Sequence, residues 1–396
     1  MDFSFSPELT AYQAQIFDWA RNVARPLARQ ADADHRLPAN TGAVLDSCPV
    51  PLDRVDGVSS VLPTFPDGDL LRNTAIVEAL TYGDPWLFEA TNRGIGHHVV
   101  GQAGTPEQAN RWYAPYARPG ARSTGFGMTE PGMGSDTSGI ATTARRDEEN
   151  WVLNGSKIYC SLGAHADFIV IIATIDPQLK HAGIRAFVVE KDTPGLIITR
   201  PNESKLGLRC WMTTALTLED CRIPLDHMLG WKGEDANNDD LAKTLGRALS
   251  SFNYSRPLVG LMGLSIAKAA VEETRELLER RRDKFSDHRW AAIEGDLDQM
   301  TAAYERGRLL CYQGIWLDAQ RRSNRIEAAA AKAYSPVAAE LIIRRCMQIL
   351  GPQGASEAHL IEKWYRDIKI FDIFEGTGQI MRRLVSKSLM GPQAAG

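Results

Sequence analysis

The chain has 396 residues, 44% hydrophobic and 24% charged, and its 45 Lys plus Arg against 49 Asp plus Glu leave a net charge of -4. A chain of that length holds about two or three domains over well-buried cores, and this composition excludes collagen-like, disordered and coiled-coil proteins. The charge balance gives no bulk electrostatic case for nucleic acid or an anionic membrane, so a partner has to be recognised locally.

From the start to about residue 121 the pattern is helical. Ser6, Pro7 and Glu8 read as an N-cap, a proline at the first helical position and an acidic first turn. Ile16, Trp19, Ala20, Val23 and Leu27 then recur at helical spacing. A stretch punctuated by Gly, Pro and Ser from Pro49 to Gly68 interrupts, and the helical pattern resumes from Leu70 to Leu80. Between 122 and 236 the texture changes to β-branched runs. Trp151-Val152-Leu153 and Lys157-Ile158-Tyr159 flank Asn154-Gly155-Ser156, which predicts a hairpin turn. FIVIIATI from Phe168, RAFVVE, GLIITR and TTALTLEDCRIP follow, with Thr193-Pro194-Gly195 turning between the second and third. Such spacing predicts a small β barrel or sandwich. From 237 to 396 long helical stretches return: Leu241 to Lys284, Asp287 to Arg321, Arg325 to Leu350, Ser356 to Asp372 and Gln379 to Leu389. The expected class is α+β, with a helical domain over 1–121, a β domain over 122–236 and a helical bundle over 237–396.

Most familiar chemistries are missing. Six widely spaced cysteines without a Cys-x-x-Cys suggest a reducing compartment, expected to be the cytoplasm. The longest apolar run, from Phe168, is far shorter than the roughly 20 residues of a membrane span. No phosphate-binding P-loop, Rossmann fingerprint, nucleophile elbow or His-Glu-x-x-His stretch occurs. None of the eight histidines follows a Glu by three positions, so no di-iron site and no other metal is expected. The adjacent His97 and His98 read as one core and one surface side chain, because neighbours on a helix point to different sides.

Four features remain, each with a plain structural reading. The glycine-rich loop from Thr129 to Asp136 is either a tight connection or a nest of N–H groups, approachable at Gly132 and Gly134 and flanked by the Thr129 and Ser135 hydroxyls. Glu375 lies before a helix capped by Thr377, where a carboxylate compensates the dipole. It could equally act as a general base on a turn packed against Phe371, Ile373 and Phe374, its pKa raised by burial. Arg256 precedes Pro257, read as a helix start, and is either solvated or an anion contact. The basic run from Glu279 to Phe285 ends a helix, where cations balance the dipole.

Taken together, these residues resemble the acyl-CoA dehydrogenase family of flavoproteins. Thr129 to Asp136 matches its Thr-Glu-Pro-Gly-x-Gly-Ser-Asp block, Asn154 to Lys157 its Asn-Gly-x-Lys hairpin, and Glu375 to Gln379 its Glu-Gly-Thr-x-Gln block. The resemblance implies an N-terminal helical domain, a middle β-barrel domain and a C-terminal four-helix bundle. It also implies FAD, met by Phe126, Met128, Thr129, Gly134, Ser135, Tyr159, Ser161, Thr377 and Gln379. Arg282, Phe285, Gln348 and Gly351 would reach the FAD of a neighbouring subunit, which makes a homodimer or homotetramer the expected assembly.

The implied reaction is α,β-desaturation of an acyl thioester. Glu375 would take the α-proton while the β-hydride goes to the flavin, and electrons would pass on to an electron-transfer flavoprotein or similar acceptor. Ser135, Asn253, Arg256, Phe374 and Gly376 match substrate-side positions. Some relatives carry the base at the position of Ser255, which cannot serve as one. Asn253 stands where an acidic residue is usual, Phe374 where Tyr is common and Tyr159 where Trp is frequent. The alternatives are an acyl-CoA oxidase or flavin monooxygenase on the same fold, a dehydrogenase of carrier-protein-bound acyl groups, and a scaffold that has lost its cofactor.

Overall fold

The computed structural model describes residues 5–50, 53–55, 58–60, 70–116, 122–233, 246, 248–250 and 252–391. Most of the Pro49 to Gly68 stretch, the expected helix start at Leu241 and the expected boundary at 236/237 lie outside them.

Helix α1 (Pro7–Trp19) starts where Ser6 caps it, its hydroxyl accepting from Leu9 N at 3.2 Å. The chain continues through a π turn and a 3-10 turn holding Pro26 into α2 (Ala28–Asp34). Helix α3 (Thr41–Asp46) and the antiparallel pair β1 (Asp53–Val55) and β2 (Val58–Ser60) precede α4 (Leu70–Gly83), α5 (Pro85–Thr91), α6 (Gly96–Ala103) and α7 (Pro106–Trp112). Buried Glu78 of α4 accepts hydrogen bonds from Gln13, Tyr304, Tyr312 and Arg308, tying α1 and α4 to the C-terminal bundle. Burial works against this carboxylate, but Arg308 and the two tyrosines hold it below the ordinary range.

Seven strands make the middle sheet: β3 (Gly125–Gly127), β4 (Thr143–Asp147), β5 (Asn150–Ser161), β6 (Phe168–Thr174), β7 (Ile184–Glu190), β8 (Leu196–Arg200) and β9 (Thr213–Pro224). Their order is β3-β6-β4-β5-β9-β8, with β7 also paired to β6. Strand β6 is apolar throughout because both its faces are covered: Phe168, Val170 and Ile172 meet the Val99 and Trp112 cluster, and Ile169 and Ile171 meet that of Trp151 and Phe187. The turn at Thr193-Pro194-Gly195 forms between β7 and β8 as expected.

The hairpin expected at Asn154-Gly155-Ser156 does not form. Strand β5 runs straight through it, and the turn lies earlier, where Asp147 of β4 pairs Asn150 of β5. Gly155 marks a bulge in the β5–β9 register, with φ +147. A Cβ there would stand 2.6 Å from Thr142 Oγ1, so the glycine is set by a close approach across the sheet and not by a turn.

The C-terminal region holds α8 (Phe252–Glu279), α9 (Asp287–Ala319), α10 (Arg325–Leu350), α11 (Ile361–Phe371) and α12 (Gly378–Met390). Pro257 lies inside α8 instead of marking its start. A proline cannot donate to the carbonyl four residues back, that of Asn253, and Asn324 Nδ2 supplies that bond at 3.0 Å. At the junction of the three parts, Lys363 of α11 reaches Asp84 at 2.6 Å and Asp367 at 2.9 Å, all three side chains buried. Asp84 also caps α5, and Asp367 accepts from Leu208 N at 2.6 Å. Replacing Lys363 by Met leaves two buried carboxylates without a counter-charge, so denaturant unfolding is expected to show a loss of about 3–5 kcal/mol.

Candidate active site

The loop after β3 is held from beneath by its own glutamate. Glu130 is 5% exposed and accepts from Ala141 N at 2.7 Å, Thr142 N at 3.0 Å, the Thr142 hydroxyl at 2.6 Å and Lys157 Nζ at 2.6 Å. Burial opposes its charge, but Lys157 and Thr142 keep it below the ordinary carboxylate range. Lys157, itself completely buried, also donates to Met128 O at 3.1 Å. The lysine of the Asn-Gly-x-Lys stretch is thus the clamp for the Thr-Glu-Pro loop. With Glu130 turned inward, Gly134 and Ser135 are exposed, and open space stands where Cβ atoms on Gly132 and Gly134 would be.

Ile158 N donates to Thr129 O at 2.9 Å, which seats the loop beside the end of β5. A second register shift follows Lys157, and Tyr159 takes φ +56 with its ring 56% exposed. Ser161, two residues on, is exposed as well. Phe126 of β3 meets Phe252 of α8 edge-on at 5.7 Å, joining this surface to the helix that carries Asn253, Ser255 and Arg256.

Glu375 stands on the turn between α11 and α12, with φ +57 followed by Gly376 at φ +98. Arg256 Nε donates to Glu375 O at 3.2 Å and its Nη1 to Asn253 Oδ1 at 3.1 Å, so Arg256 is a turn-holding contact and is not simply solvated. Lys332 of α10, also completely buried, donates to Gly376 O at 3.2 Å. The Glu375 carboxyl is enclosed, and its Oε2 has no hydrogen-bond partner among the described residues. Burial pushes this carboxyl above the ordinary range, while Ser255, Lys332 and Arg256 pull it back in part. Phe371 and Phe374 pack beside it with ring centroids 5.5 Å apart, and Trp211 joins them. Ile373 differs from expectation: it is 61% exposed and not packed into the turn. Thr377 caps α12, accepting from Ile380 N at 3.4 Å, and Gln379 is exposed one turn away.

Arg282, Phe285, Gln348 and Gly351 are not brought to this place. Arg282 and Phe285 lie past the end of α8, Gln348 in the last turn of α10 and Gly351 just after it, where Arg281 donates to Gln353 at 2.6 Å. From Arg256 to the end of the 28-residue helix α8 the distance is about 35 Å. Arg282 is already engaged with Asp287 at 2.5 Å and Trp290.

The burial and pairing of several charged groups carried no sequence signal. Lys332 sits in an alanine-rich helix, Glu130 and Lys157 lie 27 residues apart, and Glu89 of α5 is hidden in an apolar run. Glu89 accepts from Met212 N at 2.7 Å, and burial pushes it up to about 7. The expectation for the histidine pair also fails: His97 is buried and His98 half-buried, their rings 4.1 Å apart. Both imidazoles are held below the usual range by burial, His98 at about 4, because α6 lies against the sheet and Arg93 stands close by.

A three-part chain with a bulged sheet between helical units, an exposed glycine-rich loop after β3 and a buried carboxyl on the turn before α12 defines a class. The sequence matches the acyl-CoA dehydrogenase middle domain over residues 125–221 and the acyl-CoA dehydrogenase C-terminal domain over residues 245–390. It is 32% identical to the mitochondrial short-chain specific acyl-CoA dehydrogenase of Bos taurus over 94% of this chain and 88% of that one. It is 28% identical to the short-chain specific acyl-CoA dehydrogenase of Clostridium acetobutylicum over 98% and 99%. The butyryl-CoA dehydrogenase structure from Megasphaera elsdenii superposes with a TM-score of 0.84 at 24% identity, covering 99% of this chain and all of that one. The chain belongs to the acyl-CoA dehydrogenase family.

Replacing Lys157 by Met strands Glu130 and loosens its hold on the following strand. Hydrogen exchange at Ala141 and Thr142 is expected to quicken at least about tenfold, since bonds to a charged group are worth ~1.5–3 kcal/mol.

Proposed function

We propose that this chain is a FAD-dependent acyl-CoA dehydrogenase that desaturates an acyl thioester between its α and β carbons, with Glu375 as the base. The observation that carries the reading is the enclosed Glu375 carboxyl, whose Oε2 has no hydrogen-bond partner among the described residues. A buried acceptor left unsatisfied costs stability, and an incoming C–H acid gives it a use.

The residues at the glycine-rich loop fit the cofactor. Open space over Gly132 and Gly134, the exposed Tyr159 ring and the free surface of Ser135 and Ser161 suit a large planar ring with polar edges. Phe126, Met128, Thr129, Gly134, Ser135, Tyr159 and Ser161 would hold the flavin. Thr377 and Gln379, at the N-terminus of α12, would hold the phosphates. When bound, FAD supplies the two-electron acceptor for the hydrogen leaving the β-carbon.

The protein's part is positioning and proton transfer. Phe374, Phe371 and Trp211 shield the base from water, which keeps the carboxylate poorly solvated and more basic. Glu375 accepts the α-proton on a carboxylate oxygen, and the electron pair of the broken C–H bond moves toward the thioester carbonyl. The Glu375 N–H would polarise that carbonyl, and Ser135, Asn253, Arg256 and Gly376 would line the substrate side. The short-chain specificity named for two relatives supports a short acyl group here.

Arg282 and Phe285 lie past the end of α8, about 35 Å along it from Arg256, and Gln348 and Gly351 lie at the end of α10, about 24–29 Å along it from Lys332, which supports their serving a neighbouring copy's FAD in a homodimer or homotetramer. The six unpaired cysteines support a reducing compartment, the cytoplasm. The proposed acceptor of the electrons is an electron-transfer flavoprotein or a similar carrier.

The test is anaerobic titration of the yellow protein with acyl-CoA. The wild type is expected to bleach, whereas Glu375→Gln keeps its colour and bleaches about 10²–10⁴-fold more slowly. Undiminished bleaching refutes the base, and rapid recolouring in air would replace the dehydrogenase reading by an oxidase. Because burial raises the Glu375 carboxyl and the base works only when ionised, the acid limb of the bleaching rate is expected above the 4.5 of a free glutamate.

A further inference from the structure

Lys332 is one of the largest completely buried side chains in the protein, and neither a fold role nor an assigned function accounts for its charge. Its Nζ donates to Gly376 O at 3.2 Å and stands 5.8 Å from the centroid of the Phe374 ring. An ammonium has three N–H groups, so one carbonyl leaves it under-coordinated. A neutral donor such as glutamine could hold a carbonyl without the several kcal/mol that burying an ion costs. The charge must therefore answer another charge. Two carboxylates act on it, Glu375 first and Asp372 second.

We infer that Lys332 is a positioning residue for the proposed base: from α10 it grips the turn that carries Glu375 and supplies the positive charge against which that carboxylate ionises. This rests on the reading of Glu375 as the base. The grip matters because the turn holds Glu375 at a positive φ that a non-glycine residue adopts only under strain, followed by Gly376, which takes its own positive φ freely. A Cβ on Gly376 would come within 2.6 Å of Met381 Cε, so α12 packs closely on the turn at that point. Arg256 holds the preceding carbonyl, and the two cations thus pin adjacent peptide groups from different helices.

The electrostatic surroundings of Glu375 are few. Helix α8 presents the Ser255 hydroxyl and Arg256, and α10 presents Lys332, with Arg325 behind Arg256. The end of α11 presents Asp372, whose Oδ1 lies close to Gly378, and α12 brings Arg382 to the same glycine. Arg256 spends Nε on Glu375 O and one Nη1 donor on Asn253, whereas Lys332 has one hydrogen bond among the described residues, to Gly376 O, and two N–H groups left over. Burial drives Lys332 down to about 8, and Glu375 and Asp372 oppose that fall, as expected of a lysine that stays charged for a carboxylate's sake.

The test compares Lys332→Gln, Lys332→Met and Lys332→Arg with the wild-type holoenzyme. Infrared titration reads the Glu375 carboxyl directly, its band being identified by its absence in Glu375→Gln. Removing the cation disfavours the carboxylate, so the titration midpoint in the Gln and Met variants is expected to rise by about one pH unit, with Arg restoring it. The acid limb of the bleaching rate should move with it. A midpoint that stays put in a yellow, folded Gln or Met variant overturns the inference. So does loss of the flavin in both neutral variants while Arg folds normally, because that outcome makes Lys332 a support of the fold alone. Since the infrared reading needs no turnover, it decides the role of Lys332 even if Glu375→Gln were to bleach like the wild type.

Discussion

The placement of the site depends on one buried ion cluster. Lys363 sits between Asp84, at the junction of α4 and α5, and Asp367, whose other contact is the backbone of Leu208. Burial works against the ammonium, yet Asp367 and Asp84 together hold Lys363 above the ordinary lysine range. Through these bonds the N-terminal helices, the segment before β9 and α11 meet at one point. Gly207 lets the chain lie flat on α11, where a Cβ would come within 2.4 Å of Arg366 backbone atoms. Trp211 then donates to Pro85 O at 3.0 Å and packs toward Phe371 and Phe374. Such a cluster adds little net stability over an apolar core, but it fixes which surfaces meet.

The middle sheet contributes stiffness through irregularity. Two register shifts in β5 turn Lys157 inward to Glu130 and Tyr159 outward, although both lie on the same strand two residues apart. Regular alternation would send residues 157 and 159 to the same face. The bulge is therefore what allows one strand to anchor a loop from below and present an aromatic ring above.

Much of this was legible from residue types. The three-part order, the Ser6 cap, the Thr193-Pro194-Gly195 turn and the long C-terminal helices follow from capping chemistry and periodicity, which are local. The Asn154-Gly155 hairpin misled because the glycine answers to Thr142 across the sheet, a contact no window of sequence contains. Pro257 misled for a related reason: the carbonyl it frees is satisfied by Asn324, far along the chain. The block motifs pointed to Glu375 and the glycine loop, whereas Lys332, Glu130 and Lys157 emerge only once burial and pairing are known. Charged residues in helices and strands read as solvated until the partner across the core is seen.

The backbone at residue 375 has φ +57, a conformation that glycine and asparagine adopt with little penalty and glutamate does not. Selection for thermostability alone would drift this position toward those smaller residues, gaining up to about 1 kcal/mol of relieved strain. A heat-hardened lineage of this chain would therefore lose its glutamate at 375 first, and a glutamate kept there marks a position held against the gain in stability.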